Sequence, residues 1–150
     1  MQGDLYSSSL LENEASSTKS YNIGGLFLVA FFGGIIGVTV LGIQNAKWLR
    51  LDKKYIQGLI AVSTILFIIK MAIIYAIAQQ TIAISLSNMD NIAKLFGVLC
   101  YVIYYLAMKK PFKEHLAVGG GTEVLYKKGI LWVIISALIE TMLIMLSELI

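Results

Sequence analysis

The chain has 150 residues, 58% of them hydrophobic and 14% charged, with a net charge of +3 and a mean hydropathy of +0.80. Soluble domains are about 45–50% apolar and about 25% charged, so this composition excludes an ordinary soluble domain and a disordered tail and describes a multi-span membrane protein. A single cysteine cannot build a disulfide scaffold, and so small a net charge on so apolar a chain excludes nucleic acid as the expected partner.

Residues 1–22 form a polar N-terminal tail rich in serine, with Asp4, Glu12 and Glu14 among them. No basic start precedes an apolar run, so a secretory signal is not expected, and the segment reads as a flexible tail. The first span is expected over 23–43, which carries no charge. About 20 residues rising 1.5 Å each cross a ~30 Å hydrocarbon layer. Lys47, Arg50, Lys53 and Lys54 close this span, and Trp48 and Tyr55 suit the headgroup level. The second span is expected over about 56–78, interrupted only by Lys70, with a turn at 87–91. The third, about 92–108, is the shortest, and a re-entrant course is the lesser alternative for it. Lys109, Lys110 and Pro111 are expected to end it, because proline has no N–H to continue a helix. Residues 109–128 form the longest loop, in which Gly119–Gly121 break any helix and Thr122 is placed to cap the next one. The fourth span is expected over about 129–150. In lipid each span must satisfy its own backbone, and continuously apolar runs do not alternate as barrel strands do. The expected fold is therefore an all-α integral membrane protein, a four-transmembrane-helix bundle behind a short tail.

Lysine and arginine gather in 44–55 and 109–128, whereas the turn 79–91 holds Asp90 and no basic residue. The Lys/Arg bias of short loops sets orientation. Both basic loops are thus expected in the cytoplasm, which for four spans places both termini outside. The excess of lysine over arginine and the abundant isoleucine fit an AT-rich coding sequence, and hence a bacterial cytoplasmic membrane.

Lys70 and Glu140 lie within apolar spans, where a charge costs ~2.5–3.5 kcal/mol on insertion scales. Counted from the same side, their depths differ by roughly 4–5 Å, so they are expected to meet if their helices are neighbours. Ser63 shares a helix face with Lys70, and Ser136 and Ser147 share one with Glu140. Tyr101, Tyr104 and Tyr105 offer hydroxyls from the third span. The pair reads either as a structural registry device or as an ion or proton relay. Gly25, Gly33 and Gly37 form a second pattern, with Gly33 and Gly37 in GxxxG spacing. Small residues let helix backbones approach, within the chain's own bundle or against a partner span.

No Ser/His/Asp set, carboxylate pair or metal-ligand cluster is legible, and Gly119–Thr122 lacks the lysine and strand of a phosphate-binding loop. No enzyme activity, cofactor or metal is expected, and neither His115 nor Cys100 is assigned to chemistry. The leading expectation is a non-enzymatic protein acting through helix–helix association, as an accessory subunit of a membrane complex or an immunity-type protein. The alternative is a homo-oligomeric ion or proton channel or small transporter using Lys70 and Glu140. Expected partners are the lipid bilayer and another membrane protein or further copies of the chain.

Overall fold

A computed structural model of the chain describes residues 19–79, 81 and 88–148, the side chains of 147 and 148 excepted. Ser16, Ser87 and most of the polar tail lie outside the described residues. Among the described residues four helical segments are long and apolar enough, by length and composition, to cross a membrane, the first of them counted across a break at Gly34. They are α1 (Ile23–Trp48), α2 (Lys53–Ala78), α3 (Met89–Ala117) and α4 (Tyr126–Glu148), with two short strands, β1 (Lys19–Tyr21) and β2 (Gly121–Glu123). The architecture is an all-α bundle of the multi-pass membrane type.

The first helix is not a straight span. Asn22 caps it, its Oδ1 accepting the Gly24 N–H at 2.9 Å. Gly34 then leaves the helix at φ 61°, ψ −154°, backbone space open essentially to glycine alone. The chain folds back there, so 23–33 and 35–48 are two antiparallel arms. Three sets of contacts establish the reversal. Tyr21 N–H donates to Asn45 Oδ1 at 2.7 Å, and the Tyr21 ring lies 4.7 Å from that of Trp48, so the two ends of α1 meet. On α3, Phe27 stacks edge-on against Tyr101 while Lys94 sits over Phe31, an antiparallel match; Thr39 approaches Cys100, and Gly42 lies against Tyr104, a parallel match. A Cβ on Gly37 would stand 3.0 Å from the Val29 side chain, a separation no continuous helix allows between residues eight apart.

The single continuous helix expected over 23–43 is therefore corrected to a helical hairpin broken at Gly34. Each arm is about half the length needed to cross a ~30 Å layer. The third helix, by contrast, runs 29 residues without reversing. The hairpin supplies most of the core, with Leu26, Ala30, Ile35, Val38 and Leu41 buried. On α2, α3 and α4, large apolar residues such as Ile65, Ile68, Leu106, Leu138 and Met142 point outward. Helices apolar on their outer faces around a buried insert are what a bilayer requires.

The reversal moves the tail. β1 pairs in parallel with β2, Lys19 opposite Gly121 and Tyr21 opposite Glu123. Residues 19–21, both basic segments and β2 thus share one end of the bundle. Four straight helices would put residues 19–21 at the end opposite the basic segments; the hairpin puts them at the same end. Cysteines placed at Lys19, Lys54 and Lys113 in a Cys100→Ser background should all label from the same side of intact cells with an impermeant thiol reagent. Labelling of position 19 from the side opposite 54 and 113 would contradict the hairpin.

Two further expectations are corrected. Pro111 does not end the third helix, which continues to Ala117. An interior proline costs ~3 kcal/mol, but Met108 and His115 are buried on either side of it, and His115 Nε2 lies 3.1 Å from Gly121 O. These contacts hold the last turns in place. Thr122 does not cap a helix; it is the middle of β2, and α4 begins at Tyr126. The other boundaries are wider than expected, Lys53–Ala78 for the second helix and Met89–Ala117 for the third.

Candidate functional site

The structure brings Lys70 and Glu140 together. Lys70 Nζ lies 2.6 Å from Glu140 Oε1, with the lysine side chain fully buried and the glutamate 20% exposed. Apart from each other, neither atom has a hydrogen-bond partner among the described residues. An ammonium has three donors and a carboxylate about four acceptor positions, so most of the pair's hydrogen-bonding capacity is unused by the protein.

The pair sits at the tip of the hairpin. A Cβ on Gly34 would stand 3.0 Å from Glu140 Oε1 and 3.6 Å from Lys70 Nζ. The C-terminal end of arm 23–33 and the N-terminal end of arm 35–48 meet at this point. Helix dipoles place partial negative charge at the first and partial positive charge at the second, each within its last or first turn. A lysine and a glutamate together complement two such ends facing the same spot. Glycine at 34 is required twice, by its backbone angles and because a side chain would displace the carboxylate.

A cavity of about 370 Å³ reaches the pair; Gly34, Lys70 and Glu140 line it together with Phe31, Asp90, Lys94 and Thr141. Asp90 and Lys94 belong to the first turns of α3, so the cavity opens at the end of the bundle away from the strands and basic segments. Lys94 Nζ pairs with Asp90 Oδ2 at 2.6 Å, and both are solvent-accessible. Such an exposed pair contributes little stability. The cavity therefore carries two lysines and two carboxylates, one opposite-charge pair near its mouth and one at its floor.

The other polar residues divide between places. Ser136 is fully buried on α4, one turn before Glu140, its Oγ 3.3 Å from where a Cβ on Gly37 would stand and without a hydrogen-bond partner among the described residues. Ser63 belongs to a separate cluster nearer the basic end: its Oγ donates to Leu59 O at 2.8 Å and lies 3.1 Å from Tyr104 Oη and 3.6 Å from Cys100 Sγ. Tyr104 is the buried tyrosine of α3. Tyr101 and Tyr105 face elsewhere, in ring contacts with Phe27, with each other and with Lys109. None of the three tyrosines hydrogen-bonds to Lys70 Nζ or Glu140 Oε1 among the described residues: Tyr104 meets Ser63, and Tyr101 and Tyr105 lie on a different face of α3. The Ser147 side chain lies outside the described residues.

Gly33 and Gly37 meet the chain's own α4, and Gly25 meets Leu125, the residue that precedes that helix. A Cβ at Gly25 would stand 3.1 Å from Leu125 Cδ2, and one at Gly33 3.1 Å from Val133 Cα. Gly33 and Gly37 lie on opposite sides of the break at Gly34, so their spacing does not form a GxxxG face on one helix. Two further glycines have larger structural roles: Gly34, legible in the sequence only as one of a second thinly covered set with Gly24 and Gly42, lies at the break, and Gly97, whose missing side chain makes room for the Ala30 carbonyl, was not singled out. The pair of adjacent glycines at mid-run was the available signal for the first; the second has none, since its contact is with a distant segment.

Comparison with protein-family models, curated proteins and solved structures finds no match.

Proposed function

We propose that the protein is a non-enzymatic, multi-pass protein of the bacterial cytoplasmic membrane that takes up a small ion, a proton included, at the Lys70–Glu140 pair and passes it across the bilayer. One observation carries this reading: the pair lies on the floor of a cavity, at the point where a membrane-buried backbone breaks. Non-helical backbone at membrane depth is tolerated where it is buried in protein or lines a water-filled cavity. Discontinuous helices near the midplane are also how many transporters turn helix ends towards ions. A pair that only fixed helix register would not need a cavity leading to it. The lysine-rich end faces the cytoplasm by the Lys/Arg rule, so the cavity opens outward. On the cytoplasmic side Tyr104, Met108 and Leu41 are buried in the core, so the proposed pathway continues there between associated copies of the chain.

The second reading is an accessory subunit or immunity-type protein acting through helix association. The exposed apolar face of α4, with Leu131, Leu138 and Met145, favours it. The glycine face no longer does, because α4 of the same chain covers it.

The test is flux. Purified protein in phosphatidylethanolamine–phosphatidylglycerol liposomes loaded with a pH-sensitive dye is given an inward-negative potassium diffusion potential. Acidification above that of empty vesicles is expected, and Glu140→Gln should abolish the excess. If the wild-type protein carries neither protons nor, in parallel assays, sodium or chloride, ion handling is ruled out and association stands as the better reading.

A further inference from the structure

We propose that the groove between arm 23–33 and α4 seats one acyl chain of an anionic phospholipid from the leaflet at the basic end, with its phosphate at Lys127. The proposal rests on the membrane reading of the chain and is independent of ion transport. The groove holds about 430 Å³, and its walls are apolar, among them Leu28, Phe32, Ile130 and Ile134. Its floor lies where Gly25 and Gly129 bring the two helices close: a Cβ on Gly129 would stand 3.2 Å from Val29 Cγ2.

Length selects the occupant. The groove follows α4 from Leu125 to Ile134, about 14 Å at 1.5 Å per residue. That is one leaflet of a ~30 Å hydrocarbon layer, and it ends where arm 23–33 ends. A partner's transmembrane helix would need a groove running the full thickness; a lipid tail needs this one. Charge selects the headgroup. Tyr126 stands at the groove's basic end, 73% exposed, a position suited to the headgroup level. Lys127 shares a helix face with Ile130 and Ile134, is exposed, and has no ion-pair partner among the described residues. Its neighbour Lys128 is already engaged, 5.3 Å over the Trp48 ring and 3.8 Å from Glu123 Oε2. One lysine at the mouth is thus free for a phosphate.

The full chain, purified in mild detergent and incubated with an equimolar mixture of phosphatidylglycerol and phosphatidylcholine, is examined by native mass spectrometry. The wild type should retain one lipid with a preference for phosphatidylglycerol. Lys127→Gln should lower that preference about fivefold, the effect of one lysine near a membrane surface, while a chain is still retained. Leu28→Trp, which fills the groove from an exposed position, should remove the retained lipid. Equal retention in wild type and Leu28→Trp overturns the groove, and an unchanged preference in Lys127→Gln overturns the headgroup assignment. Disulfide cross-linking between copies through Leu28→Cys, in a Cys100→Ser background, would show a second chain in the groove and overturn the lipid. Carbonate extraction separates this from the premise: a chain released by carbonate overturns the membrane reading, whereas one that resists and keeps no lipid overturns the groove alone.

Discussion

Glu140→Gln should destabilise the protein more than Lys70→Met, and the two together should cost less than either alone. Breaking a buried ion pair by removing one partner costs about 3–5 kcal/mol, because a charge is left in low dielectric. Lys70 is fully buried, so Glu140→Gln strands its ammonium without water and should reach the upper part of that range. Glu140 is partly exposed to the cavity, so after Lys70→Met its carboxylate can hydrate and the loss should fall at the lower end. The double variant strands no charge and should recover most of the lost stability. Denaturant unfolding of the four proteins in one detergent gives the coupling directly. Two losses that simply add would mean that the residues do not act on each other. Function separates the readings of the pair. If Glu140 exchanges a proton or holds an ion, the double variant folds and stays inactive, because Gln cannot ionise. If the pair is only a clasp for the hairpin tip, activity returns with the fold.

Gly97→Ala should be among the most disruptive single-methyl changes in the bundle, through a clash with backbone rather than through backbone angles as at Gly34. The added Cβ would collide with the Ala30 carbonyl oxygen and come within 3.1 Å of Gly34 Cα. Both neighbours are backbone, so no rotamer change relieves the clash; the hairpin must shift away from α3. Overpacking of this kind costs typically 1–3 kcal/mol, and the upper end is expected here. Moving Gly34 would also pull the break away from Glu140, so Gly97→Ala should reduce ion flux beyond its effect on stability. Gly58→Ala is the control. Nothing lies within 4 Å of that position on α2, and replacing a helical glycine by alanine is worth up to about 1 kcal/mol of stabilisation. Thermal melting in detergent should therefore move in opposite directions for the two variants. If both melt with the wild type, the hairpin is not wedged against α3.

Much of the site was legible in the sequence, and its setting was not. Lys70 and Glu140 stand out as charges in apolar runs, and counting 1.5 Å per residue from the basic ends puts them within reach of each other. That arithmetic used α2 and α4 alone, so it survived the error in the first span. The role of Tyr104 rather than Tyr101 and Tyr105 was hidden because all three occur within five positions, and only the packing of α3 against α2 decides which hydroxyl reaches Ser63. The cavity was hidden because its walls come from all four helices.

The amino-acid pattern alone is enough to establish that the chain is of the apolar class, that its long elements are helices, which end is basic, and which charges fall within the apolar runs. These follow from composition and local run length, which each segment carries without reference to the others. Only the tertiary structure decided that 23–48 turns back at Gly34. Hydropathy counts apolar residues and holds no information on direction, and glycine is equally permitted in a straight helix and at a reversal. The reversal is selected by contacts from far along the chain: Asn45 holding Tyr21 at one end, β2 pairing with β1, and the ion pair of α2 and α4 meeting the two arm ends at the other. Through that one glycine residues 19–21 come to the basic end, and the bundle becomes three long helices around a helical hairpin.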